Sequence, residues 1–133
     1  MAQALVDTSA AYALLDRSDA NHVQAKRRLS ALRESRVSPV LTNFIVAETH
    51  ALLLSRLDAA IARRWLTTQV WPIERVTAED ELRARTIIVT QADKTYSYTD
   101  AVSFAVMERR GVKTAFAFDP HFRQYGWLVI GLR

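Results

Sequence analysis

Short, almost wholly apolar strand-like runs alternate with helix-like runs along this chain, and that alternation predicts an α/β fold with a mostly parallel sheet covered on both faces. Composition agrees. The chain has 133 residues, 50% of them hydrophobic and 24% charged, the balance of one globular domain that can bury its own core. No repeat, low-complexity stretch or linker interrupts it, so residues 1–133 read as a single domain.

The elements follow in order. "QALV" predicts a short buried strand, and "TSAAYALLD" the helix after it. From Asn21 to Arg33 an amphipathic helix is expected, with Val23, Leu29 and Leu32 inside and Lys26, Arg27, Arg28 and Arg33 outside. A polar break with a proline leads to a strand at Pro39 to Leu41, then a helix from Asn43 to Arg56 and another over "AAIARRWLT" after Asp58. "VWPIERV" predicts a strand whose Pro72 restricts it to a sheet edge or a bulge. "TAEDELRARTIIVTQ" starts with a capping-type Thr77 and acidic residues suited to the positive end of a helix. Its Glu79–Arg83 and Glu81–Arg85 spacings favour ion pairs one turn apart. "KTYSY" reads as a loop, "TDAVSFAVMERR" as a helix stopped by Gly111, "TAFAF" as a strand, and "WLVIGL" as the last strand.

The chain contains no cysteine, which excludes a disulfide framework and any thiolate metal site and suits a reducing cytoplasm. No basic region leads a long apolar segment at the N-terminus, so neither a signal peptide nor a membrane span is expected. A net charge of +4 and a pI near 9.8 favour polyanionic partners such as nucleic acid.

Four carboxylates stand in apolar company. Asp7 ends the first strand and Asp119 ends "TAFAF", and the carboxyl ends of parallel strands are where sites form in open α/β sheets. Glu48 lies inside "NFIVAETHALLL", where Phe44, Ile45, Ala51 and Leu52 share its helical face, so it is expected to point inward. Asp100 follows Thr99, an N-cap candidate, at the first turn of a mostly apolar helix. Each acid also admits a plainer role: Asp7 a helix cap, Asp100 a dipole partner, Asp119 a turn former, Glu48 a buried pair with an arginine such as Arg56. Four such coincidences at predicted sheet ends are harder to accept together than singly. Two carboxylates about 4 Å apart repel by roughly 4 kcal/mol at an effective dielectric of 20, so such a cluster takes up protons or recruits cations. Carboxylate oxygens without cysteine or paired histidine suit Mg²⁺ or Mn²⁺, and water on such an ion can become a nucleophile. With a basic surface around it, a phosphodiester is the natural substrate, and the residues point to a metal-dependent nuclease.

"LVDTSA", "NFIVAETHALL", "SYTDAVSFAVM" and "AFAFDPHF", in this order and on these elements, resemble the PIN-domain ribonucleases, above all the VapC-type toxins of bacterial toxin–antitoxin pairs. The resemblance implies a three-layer α/β/α sandwich with a central, mostly parallel sheet of about five strands. It also implies Mg²⁺- or Mn²⁺-dependent cleavage of RNA, with the family's four acids falling on Asp7, Glu48, Asp100 and Asp119. By that analogy Asp7 and Asp119 hold the ion that activates water, while Glu48 and Asp100 complete the site or hold a second ion. A homodimer and a small antitoxin partner are implied as well, with Trp65 and Ile61 as a candidate interface patch. One departure stands out: many relatives carry Thr or Ser where this chain has Ala117, which puts tight metal binding at Asp119 in question. Thr8 and Thr99 are alternative sources of a hydroxyl, though capping is the simpler role for both.

His22, His50 and His121 are too scattered for a zinc site; His121, beside Asp119, is placed to touch substrate, though a surface position is the simpler expectation. Arg109 and Arg110 are expected to complement a helix dipole, Lys94 to contact phosphate, and Trp127 to join the core. Two rival readings remain open at this level. A haloacid-dehalogenase-type phosphatase also places an Asp after its first strand, but wants a second acid where Ser9 stands. A non-catalytic module would bind RNA or a partner without cutting.

Overall fold

The computed structural model describes residues 2–131. In chain order these form β1 (Gln3–Val6), α1 (Thr8–Leu15), α2 (His22–Glu34), β2 (Ser38–Thr42), α3 (Asn43–Arg56), α4 (Ala59–Thr68), β3 (Ile73–Glu74), α5 (Ala78–Thr90), α6 (Tyr98–Arg110), β4 (Thr114–Ala117), α7 (His121–Tyr125) and β5 (Leu128–Gly131). All five strands are parallel, in the order β3-β2-β1-β4-β5. Central β1 sets Leu5 opposite Val40 on one side and Ala115 on the other. The chain winds outward from β1 to β2 and β3, then crosses back to β4 and β5. With right-handed crossovers, that reversal puts α1 to α4 on one face and α5 to α7 on the other. Helix contacts follow the same division: α1 packs on α2 and α3, α3 on α4, and α6 on α5 and α7. The expected three-layer sandwich is present.

Leu5, Val6, Leu41 and Phe116 from the strands meet Ile45, Phe104 and Phe122 from the helices in a dry core. Edge strand β3 is only two residues long, and the Pro72 carbonyl accepts from the Leu41 amide at 3.0 Å. Proline donates nothing, so it fits where only its carbonyl is asked to pair. No described helix is long and apolar enough to cross a membrane.

Several expectations need correction. Val23 is 61% exposed; the buried stripe of α2 runs Ala25, half-buried Leu29, Leu32, and Val23 falls about 200° away from Ala25 at 100° per residue. The two Glu–Arg pairs on α5 do not form: Arg83 binds Glu108 at 3.0 Å, and Glu81 accepts from the Tyr98 hydroxyl at 2.9 Å. Arg109 does more than complement a dipole, because it bridges buried Asp80 and Glu74 at 3.0 Å each. Arg110 reaches Glu74 at 3.3 Å and Gln3 at 2.9 Å. Helix α7, in a segment to which the sequence reading assigned no element, carries Phe122 into the core and Tyr125 onto Phe104 at 4.4 Å. Trp127 is half-buried and stacks on Tyr125, packing against the core as expected. The last expected strand extends to Leu132, which lies outside the described residues.

Candidate active site

Strand order reverses between β1 and β4, and a crevice opens there at their carboxyl ends, the usual binding position in a doubly wound sheet. Asp7 and Asp119 flank it. A pocket of about 360 Å³ is lined by Asp7, Thr8, Ser9 and Tyr12, by Asp19 and Asn21, by Glu48, Leu52 and Arg56, and by Ser97, Asp100, Asp119 and His121. All four predicted acids thus face one space.

Asp7 leaves the sheet with its amide still bonded to the Phe116 carbonyl at 2.9 Å, so the β1–β4 ladder holds its backbone. One carboxylate oxygen accepts from the Ser9 amide at 3.2 Å and the Ser9 hydroxyl at 2.7 Å, capping α1. Cap and site are therefore compatible roles. The Ser9 hydroxyl also accepts from the Phe118 amide at 3.0 Å. Ser9 thereby ties the start of α1 to the segment that carries Asp119, a link that the sequence reading did not foresee.

Asp100 sits in a capping box with Ser97, not behind a Thr99 cap as expected. Its side chain accepts from the Ser97 amide at 3.0 Å while the Ser97 hydroxyl accepts from the Asp100 amide at 3.0 Å. Asp119 accepts from the His121 amide at 2.7 Å, the turn-forming bond that brings α7 round.

His121 corrects another expectation, because it is a site residue and not a surface one. Its Nδ1 lies 2.7 Å from an Asp100 oxygen and 3.1 Å from an Asp119 oxygen, and its Nε2 lies 3.3 Å from the Thr95 hydroxyl. Two carboxylates around Nδ1 assign the proton to that nitrogen. The edge-on Tyr96 ring at 5.5 Å braces the imidazole from behind. Asp100, Asp119 and His121 offer ligand atoms within 4.8 Å of one another. Asp7 and Glu48 stand outside that trio but line the same pocket.

Glu48, Leu52 and Arg56 recur every fourth residue on α3, forming one stripe along the pocket. Glu48 is half-buried; Ala51, expected beside it on an inward face, is exposed. No ion pair joins Glu48 to Arg56 among the described residues. Their eight-residue separation places them about 12 Å apart along the helix axis. Lys94 is drawn off to Asp93 at 3.0 Å and does not line the pocket. Neither Thr8 nor Thr99 caps its helix; the Thr8 hydroxyl is buried on the pocket wall without a partner among the described residues.

Burial dominates the electrostatics. Asp7 is 4% exposed, and desolvation lifts its pKa from 3.8 to about 7, with Asp100 and Asp119 pushing the same way against the Ser9 hydrogen bonds. Asp100 is also raised, first by burial and then by Asp119, with the Ser97 amide and His121 opposing. The site without a cation is too negative for its own comfort. The carboxylate oxygens form a donor set that fits Mg²⁺ or Mn²⁺, with the Nδ1–H of His121 orienting those of Asp100 and Asp119.

The PIN domain profile matches residues 4–128, nearly the whole described chain. The chain belongs to the PIN family. Within that family it is 38% identical over 129 residues to the 23S rRNA-specific endonuclease VapC20 of Mycobacterium tuberculosis, covering 94% of this chain and 95% of the relative. The crystal structure of that VapC20, described as a sarcin–ricin loop cleaving toxin, superposes with a TM-score of 0.83 at 34% identity, covering 93% of this PIN chain and 95% of the other. FitAcB from Neisseria gonorrhoeae shares the PIN fold at a TM-score of 0.66 and 17% identity, with 95% of both chains covered.

Proposed function

We propose that this PIN chain is a Mg²⁺- or Mn²⁺-dependent endoribonuclease that hydrolyses RNA phosphodiester bonds, acting in the cytoplasm as the toxin of a toxin–antitoxin pair. The observation that carries the reading is the meeting of Asp7, Glu48, Asp100 and Asp119, from four separate elements, around one pocket at the reversal point of the sheet. Asp7, Asp100 and Asp119 would hold the divalent ion, with Glu48 completing the site or serving a second ion. Bound there, it would supply an acidified water and neutralise charge on the phosphate oxygens. The protein's own part is positioning. The β1–β4 ladder and the Ser9 bonds hold Asp7, the capping box and His121 hold Asp100, and the His121 amide holds Asp119.

A second anchor supports the Asp119 site despite Ala117. Ser9 supplies a hydroxyl between the two strand ends, so the segment bearing Asp119 is tethered despite the alanine. The same commitment of Ser9 gives no support to phosphoaspartate chemistry, which needs an acid at that position.

The likeness to VapC20 supports ribosomal RNA, and its sarcin–ricin loop, as the substrate. For partners we propose an antitoxin segment and a second copy of the chain, supported by exposed Ile61, Leu66 and Val70 around α4 and by an apolar groove of about 410 Å³ between α1, α2 and α4. Trp65, half-buried, lines that groove and packs on the core. Sedimentation at micromolar concentration should give a dimer; a monomer would refute that part alone. The enzymatic test is direct: purified protein should cut ribosomal RNA with Mg²⁺ or Mn²⁺, stop with EDTA, and fail after Asp7→Asn with the fold kept. RNA binding without cleavage in either metal would favour the non-catalytic module.

A further inference from the structure

Among the described residues, Arg56 is the only lysine or arginine lining a pocket that also carries five carboxylates, those of Asp7, Asp19, Glu48, Asp100 and Asp119. A polyanionic strand entering such a pocket meets repulsion everywhere except where cations stand. Arg56 is exposed, at the last turn of α3, and makes no ion pair among the described residues. It is nonetheless aimed: its guanidinium lies 5.2 Å from the centre of the Tyr12 ring. Tyr12 is fixed in turn by its hydroxyl, which donates to Asp16 at 2.6 Å. An arginine positioned over a braced ring, with no carboxylate paired to it among the described residues, has a planar fork suited to phosphate oxygens.

Position decides which phosphate. Glu48 and Arg56 lie on one face of α3 about 12 Å apart along its axis, so a strand cleaved beside the acids passes Arg56 some nucleotides away. We propose that Arg56, held on the Tyr12 ring, is a subsite for a backbone phosphate flanking the scissile bond. It rests on the ribonuclease reading above and deepens it: Arg56 binds substrate and has no part in bond cleavage.

The test is steady-state cleavage of a sarcin–ricin-loop RNA hairpin with Mg²⁺ across a salt series. Removing one charged hydrogen-bonding contact in Arg56→Gln should raise KM about tenfold with kcat nearly unchanged. The dependence of log affinity on log salt should become shallower by about 0.7 to 0.9, the share of one phosphate contact. Arg56→Lys should recover most of the salt dependence but only part of KM. It carries the test if the glutamine variant fails to fold, since its KM must still rise. Lys113→Gln removes the same charge at the opposite end of the sheet, before β4, and should match wild type. Mn²⁺ binding should be the same in Arg56→Gln and wild type. Wild-type cleavage with unchanged KM and salt slope in the Arg56 variants would overturn this inference alone. A wild type that does not cut RNA would overturn the ribonuclease reading, and this subsite with it.

Discussion

Replacing Asp7 by asparagine should abolish cleavage and at the same time make the metal-free protein more stable. Asparagine keeps a carbonyl oxygen for the Ser9 amide and hydroxyl and removes a charge that is 4% exposed beside Asp100 and Asp119. In the folded protein the Asp7 pKa stands at about 7 against an ordinary 3.8. The folded state therefore holds a proton that the unfolded state has lost, and wild-type stability falls as pH rises between those values. At 1.36 kcal/mol per pH unit the full penalty above pH 7 is about 4 kcal/mol. Urea unfolding in EDTA from pH 4 to pH 8 measures it. The variant should be nearly equal to wild type at pH 4, where Asp7 is protonated, and more stable by up to about 4 kcal/mol at pH 8. Carboxylates remote from Asp7 cancel in the difference, while Asp100 and Asp119 lose its repulsion in the variant and add to the gap in the same direction. An asparagine variant that is less stable at pH 8, or a gap that does not close on acidification, would refute the argument that Asp7 is a buried charge awaiting a cation.

Three further outcomes follow from the same structure. Saturating Mn²⁺ or Mg²⁺ at about a hundred times its Kd should stabilise wild type by about 2.7 kcal/mol, reversibly with EDTA and not in Asp119→Asn, as read by thermal melting. Ser9→Ala strips the tie between α1 and the Phe118 amide and should cost about 1–3 kcal/mol in urea unfolding, with cleavage falling as Asp119 loosens. Arg109→Met leaves buried Asp80 unpaired and should cost about 3 kcal/mol or more, with cleavage per folded molecule unchanged. Burial alone raises the Asp80 pKa, but the Arg109 and Thr77 bonds bring it below its ordinary value, so this pairing stabilises at neutral pH and fades as pH falls through the acidic range.

The strand ends were legible because an apolar run that stops abruptly at an acid is unusual, and Asp7 and Asp119 both do so. Glu48 was legible from helical spacing, although its apolar neighbours are less buried than that spacing suggested. Ser97 was missed in favour of Thr99, yet Ser97-x-x-Asp100 is the spacing a capping box requires, so the signal was present. Arg56 could have been found the same way, four and eight residues along the face from Leu52 and Glu48. His121 was only half legible: its place two residues after Asp119 pointed to the site, but its imidazole is fixed by Asp100, Thr95 and Tyr96 from distant parts of the chain. Arg83 and Arg109 pair with carboxylates on other elements, because tertiary packing of α5 against α6 brings Glu108 within reach of the first and buried Asp80 within reach of the second.

Titration of Mn²⁺ into wild type and into Asp7→Asn, Asp100→Asn and Asp119→Asn, followed by calorimetry at neutral pH, addresses the shared site itself. Each variant, though altered on a different element, should weaken the same binding event. If all three bind manganese as wild type does, the carboxylates do not share an ion and the proposed chemistry has no centre.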